Sequence, residues 1–261
     1  HAWDFSDAPL AYQAMLGTQY ADDGVQAQWL APTDQFIQLS LELGRGRSFP
    51  GTDTSRNGAG SSALAVHTGG DVGDSHSWRA GVSTLRTKAT EQELTDSQDN
   101  TLTNTFTGTT QVWVIDGVWK WAPHGNATRT NLKLQGEYLH SKRQGDFTYK
   151  AGESSENIDR LYMTQSGWYL QGIYQFMPRW RVGLRTERLD AGSPNYASNQ
   201  ANMVIPSDNP HKHSVMFDYS PSEFSRVRLQ VAKDYARGDM VDNQLVLQYQ
   251  MSLGAHGAHS Y

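Results

Sequence analysis

The chain has 261 residues, no cysteine, 11% aromatic residues and a formal net charge of −5 at pH 7. The missing cysteines exclude a disulfide framework and cysteine zinc sites, and the absence of a long single-sign run speaks against a nucleic-acid partner. No apolar run reaches about 18 residues, so no transmembrane helix is expected.

Residues 1–24 (HAWDFSDAPLAYQAMLGTQYADDG) are the least regular part. Pro9 and the Asp22-Asp23-Gly24 turn interrupt them, leaving Ala11–Tyr20 either a short strand or a loop against a wall. The chain begins at His1 rather than Met and shows no signal peptide, as expected of a processed protein or a fragment. From Val25 onward the pattern changes to period two. Val25, Ala27, Trp29 and Ala31 lead to a Pro32-Thr33-Asp34 turn, and Ile37, Leu39, Leu41 and Leu43 return against Gln38, Ser40 and Glu42.

A polar loop is expected over 45–60, then a hairpin of Ser62–Thr68 and His76–Thr87 around the Gly69–Ser75 turn. Another long loop is expected over 89–108. The third hairpin carries Trp113, Ile115, Trp119 and Trp121 on one strand and Leu132, Leu134 and Tyr138 on the other. A loop over 143–161 leads to Met163–Asp190, the most regular stretch. There Trp168, Leu170, Gly172, Tyr174 and Phe176 alternate with Gln165, Gly167, Tyr169, Gln171 and Gln175. A turn at Met177-Pro178-Arg179 follows, then Trp180, Val182 and Leu184 alternate with Arg179, Arg181, Arg185 and Glu187. A loop over 190–211, a hairpin of His213–Tyr219 and Ser225–Asp234, and a final strand Asp242–Leu253 complete the chain, which ends in Tyr261.

Alternation this long, with apolar residues on one face and polar ones on the other, fits a membrane barrel, in which about 9–11 tilted residues cross the bilayer. Short turns alternate with long loops, as in outer-membrane barrels with short periplasmic turns and long extracellular loops. The expected fold is therefore an all-β antiparallel transmembrane β-barrel of 11–12 strands, with residues 1–24 as an irregular loop or constriction and 25–261 as the barrel. An odd strand count points to strands upstream, or on a second chain, that complete the wall, because an open edge in lipid leaves backbone groups unpaired.

The segments HAWDF-DAPLAYQA, WLAPTD, NGAG, GGDVG-SHSWRAG, VWKWAP-GN, NLKLQGEY, QSGWY-QGIYQFMPRWRVGLR, SEFSRVRLQ and QYQMSLGAHGAH together resemble a Gram-negative outer-membrane porin-like family. Its members are often labelled zinc-regulated outer-membrane receptors. The resemblance spans nearly the whole chain. It implies a transmembrane barrel broadly similar to phosphate-selective porins, continuing upstream into further strands.

Arg79, Lys133, Arg181, Arg185, Arg226 and Arg228 fall on the polar faces and are the candidate pore-lining residues. A ring of such cations selects anions. The alternative is neutralisation by Glu137, Glu187, Asp218 and Asp234 in ion pairs that stiffen the wall. His211 and His213, and His256 and His259, are weak candidates for a metal, since a site needs three or four converging ligands. Trp113, Trp119, Trp121, Trp168, Trp180 and Tyr174 read as an interfacial girdle rather than a sugar-binding track, and Tyr169 as a lumen aromatic. No G-x-S-x-G elbow is present, and neither enzyme activity nor a cofactor is expected.

The expected role is passive diffusion of small hydrophilic solutes, anions among them, across the bacterial outer membrane, with residues 1–20 narrowing the lumen. The expected partners are outer-membrane lipid, these solutes, and further copies of the chain or a second chain completing the wall. Two alternatives stand beside it. One is a metal (zinc) uptake receptor with an upstream plug, the other a structural barrel scaffolding a partner chain.

Overall fold

The computed structural model describes residues 3–17, 19–46, 49, 59–95, 102–205, 208–237 and 240–252. One short helix, α1 (Leu10–Leu16), precedes eleven strands: β1 (Gly24–Leu30), β2 (Phe36–Gly44), β3 (Ser61–Val72), β4 (His76–Thr95), β5 (Thr103–Trp121), β6 (Asn131–Tyr149), β7 (Asn157–Met177), β8 (Trp180–Asp190), β9 (His211–Ser222), β10 (Ser225–Arg237) and β11 (Met240–Met251). All eleven form one sheet in sequence order. Each strand runs antiparallel to the next, as hairpin connections dictate. Among the described residues no helix is long and apolar enough to cross a membrane.

The sheet turns its apolar face outward. Leu64, Val82, Ile115, Leu170, Leu184, Val215, Leu229 and Leu247 are all exposed on it. Such a face is stable only when lipid covers it. Near the short turns it carries rings: His76 stacks on Trp119, and Trp180 packs against Phe217 and Tyr219. Amphipathic rings at one level fit the membrane–water interface.

Two expected loops are largely strand. β4 and β5 pair through Thr95↔Thr103, and β6 and β7 through Tyr149↔Asn157. Runs such as Thr103–Gln111 carry one large apolar side chain, Phe106, without alternation and so read as loop. Yet threonine is a strong strand former, and a ladder beyond the lipid needs no apolar face. β7 has 21 residues, about twice the number a bilayer requires. The 190–211 connection contains a 3-10 turn, Ala197–Asn202, docked on β7 through Asn157 and Asn199.

The strand alternative for Ala11–Tyr20 is corrected by α1. LAYQAML is rich in strong helix formers, and it lies between Pro9 and Gly17. Gly17 takes the left-handed conformation (φ 58°) and closes the helix. The segment around it touches strands from β3 to β10, through Ser61, Lys133, Glu187 and Gln230 among others, and therefore lies inside the curve of the sheet. Leu10, Ala11, Met15 and Leu16 form a buried cluster with Leu85, Val112, Leu139 and Leu189 of the wall.

Candidate functional site: the inner face and its N-terminal segment

All six candidate cations alternate onto the inner face, and the structure divides them. Arg185 and Arg228 are buried, at 2% and 1% exposure. Arg228 grips Asp218 with two bonds, Nε to Oδ1 at 2.7 Å and Nη2 to Oδ2 at 2.8 Å. Arg181 donates Nη2 to the same Oδ2 at 2.6 Å, and Arg226 Nη1 stands 3.8 Å from it. Lys133 pairs with Asp4 of the N-terminal segment. Arg79 is exposed and makes no ion pair among the described residues.

The segment is fixed by its acids. Asp7 Oδ2 lies 2.9 Å from both Arg185 Nη2 and Lys212 Nζ, and Gln230 Nε2 donates to Asp7 Oδ1 at 2.8 Å. Burial opposes ionisation of Asp7, but Arg185, Lys212 and Gln230 outweigh it and hold the carboxyl below the ordinary carboxylate value. Arg185 also reaches Glu187 at 3.1 Å and lies over the Phe5 ring. Glu187 Oε2 accepts the Leu10 amide at 2.6 Å. It thereby satisfies an orphan donor at the start of α1, a helix without a side-chain cap of its own.

A second group is neutral to the eye but densely bonded. Tyr12 donates its hydroxyl to Glu137, and Tyr169 donates to the other oxygen of Glu137 at 2.7 Å. Burial, and next the charge of Glu137, push the Tyr12 phenol above its ordinary value, so it stays a donor. Gln171 bonds both Asp4 and Gln135.

Asp4, Asp7 and Lys212 are not among the residues that the sequence points to. Lys212 was findable, because alternation places it on the same face as Asp218. The two aspartates were not, because a carboxylate in an irregular segment carries no sign of the strand it meets.

The opposite half of the interior is less full. A cavity of about 290 Å³ lies between the segment and strands β2–β5, lined by Trp3, Tyr12, Gln19, Ser40, Glu42 and Ser83 among others. A second, of about 520 Å³, adjoins it at Leu16 and Gln19 and reaches Thr87, Gln92, Thr110 and Arg143. His67 of β3 and Asp116 of β5 pair on this side at 3.1 Å.

Among the described residues no three His, Asp or Glu side chains converge on a metal position. His211 stacks on Tyr235, and the His213 ring meets Thr186 Oγ1 at 3.0 Å. His256, His259 and Tyr261 lie outside the described residues, as does most of the 45–60 loop.

No protein-family model matches the chain. An uncharacterized protein of Aquifex aeolicus (strain VF5) is 26% identical over 277 aligned positions, covering 100% of this chain and 56% of that protein. The chain thus spans about half the length of the curated relative it matches. Among solved structures it is similar to outer-membrane expressed OmpT of Vibrio cholerae, with a TM-score of 0.52, 11% identity, and 90% of this chain against 60% of that one. An in-vitro folded form of the same outer-membrane protein matches with a TM-score of 0.52 and 11% identity, over 94% of this chain and 66% of that one. These likenesses share the fold, and the outward apolar face requires lipid. The chain is an antiparallel β-barrel wall of the bacterial outer membrane.

Proposed function

We propose that the chain forms the wall of a passive diffusion channel for small hydrophilic solutes, anions among them, narrowed by its N-terminal segment. The observation that supports this most is the uneven filling of the interior. Ion pairs and hydrogen bonds bolt the segment to β6–β10, the α1 cluster packs it on β4, β5, β6 and β8, and two adjoining cavities open between it and β2–β6. Irregular backbone at membrane depth is viable inside a lumen, where wall side chains and water satisfy it. Selection then follows from pore width and wall charge, with no chemical step.

Single-channel conductance of the full-length protein in a planar bilayer, with the reversal potential in a salt gradient, tests this. Ohmic conductance with an anion preference, reduced by Arg181→Glu and Arg226→Glu, is the expected result. A silent barrel would instead favour a scaffold that holds a partner chain. The packed β6–β10 half speaks for that second reading.

A further inference from the structure

The acids on the two sides of the interior are partnered differently. On the β8–β10 side Glu187, Asp218 and Asp234 meet Arg185, Arg228 and Lys212. On the other side Asp116 of β5 meets only His67, and Glu42 of β2 meets no cation among the described residues. Glu42 accepts one bond, from Gln26 Nε2 to Oε1 at 2.7 Å. Its second oxygen has no protein donor among the described residues.

Glu42 lines the cavity of about 290 Å³ between the wall and the N-terminal segment, close to the lower end of small-molecule sites at about 300 Å³. Trp3, Tyr12 and Tyr20 line it from the segment's side. The Tyr12 hydroxyl is spent on Glu137, and that of Tyr20 meets Ser61 Oγ at 3.1 Å. Neither partner lines the cavity, so these tyrosines offer it ring rather than hydroxyl. Leu16 of the segment and Leu85 of β4 add apolar surface, and Ser40, two residues from Glu42 on the same strand face, adds a hydroxyl. A carboxylate without a cation, set among aromatic rings and an apolar wall, suits an organic ammonium ion. The carboxylate and the ring faces attract the charge, and the apolar wall covers the body. An anion would be repelled by Glu42, and a molecule without charge would leave that carboxylate uncompensated.

We infer that this cavity binds one small organic amine, its ammonium at Glu42 and its aryl or alkyl body against the rings of Trp3, Tyr12 and Tyr20. The ligand bridges β2 and the N-terminal segment. Its binding does not rest on the diffusion reading, whereas its passage through the wall does.

The test is calorimetric titration of the full-length protein, folded in an uncharged alkyl glycoside detergent, with phenethylamine at neutral pH, where the amine is a cation. Saturable binding of one amine per chain is expected, weakened about tenfold or more by Glu42→Gln, the loss of a charge-assisted bond. Phenethyl alcohol, the same body without the charge, should bind the unaltered protein more weakly by a similar factor. Tyr20→Leu, which removes a ring, should weaken amine binding about threefold, and Tyr20→Phe, which keeps the ring, should cost less. Asp34→Asn, in the turn between β1 and β2 and outside the cavity, should leave it unchanged. Uptake that rises without saturating, as into the detergent micelle alone, would overturn the site. So would equal binding of the alcohol, or equal amine binding by Glu42→Gln with native-like circular dichroism. Amine binding by a barrel that is silent in a bilayer keeps the site and removes the diffusion reading. Conductance without amine binding does the reverse.

Discussion

A Cβ atom placed on Gly167 of β7 would stand 2.8 Å from the Cβ of Ala11 of α1. The wall thus has a notch where the helix sits, and the two residues define how closely the segment can dock. Gly167→Val should overpack this contact at a cost of about 1–3 kcal/mol. Because the strand is held by ladders on both sides, the helix should give way. The expected outcome is larger and noisier single-channel conductance, with little change in the heat-modifiable mobility of the barrel.

Asp7 ties the same segment to the wall, and its tie depends on pH. Its folded carboxyl titrates below the ordinary value near 3.8, so the stabilisation is fully present above that value. It is lost as the pH falls below 3.8 and through the lower folded value. Trp3 packs edge-on against Tyr12 at 4.7 Å and reports on docking. The difference in fluorescence between the protein and its Trp3→Phe variant should change in this acid range. Asp7→Asn should already show the undocked signal at neutral pH.

Arg185 is a structural cation rather than a selective one. It is buried beside Glu187, and removing it takes away that acid's cation while leaving Asp7 with Lys212. Arg185→Gln should lower stability by about 3–5 kcal/mol in denaturant melts, the cost of breaking a buried pair from one side. The reversal potential should move less than it does for Arg226→Gln. An equal or larger shift would place Arg185 on the ion path instead.

The two faces of the wall should respond oppositely to the same substitution. Leu184 is 60% exposed on the outer face, and Leu184→Arg should cost about 2–4 kcal/mol at the bilayer midplane. Ser40 lines the inner cavity, and Ser40→Arg should fold normally while reducing conductance. Folding yield in lipid vesicles separates the two.

The wall was legible because its strands write their burial in alternate residues: Met163–Asp190 alone places both faces and the turn of the β7–β8 hairpin. What escaped lacked that contrast. The threonine-rich end of β5 has Phe106 as its one large apolar side chain and so shows no alternation, and α1 is too short for a helical period to stand out, although Pro9 and Gly17 bracket it. Of the candidate site, alternation placed all six cations on the inner face. It could not divide them, because the division depends on partners such as Asp7, which lies 178 residues from Arg185.

Single-channel recording of the full-length protein in a planar bilayer under a salt gradient bears most directly on the central claim. Steady conductance whose reversal potential favours anions, and which rises when the Ala11–Gly167 contact is overpacked, is the expected result. A membrane that stays silent with both the unaltered protein and Gly167→Val would contradict a diffusion channel narrowed by this segment.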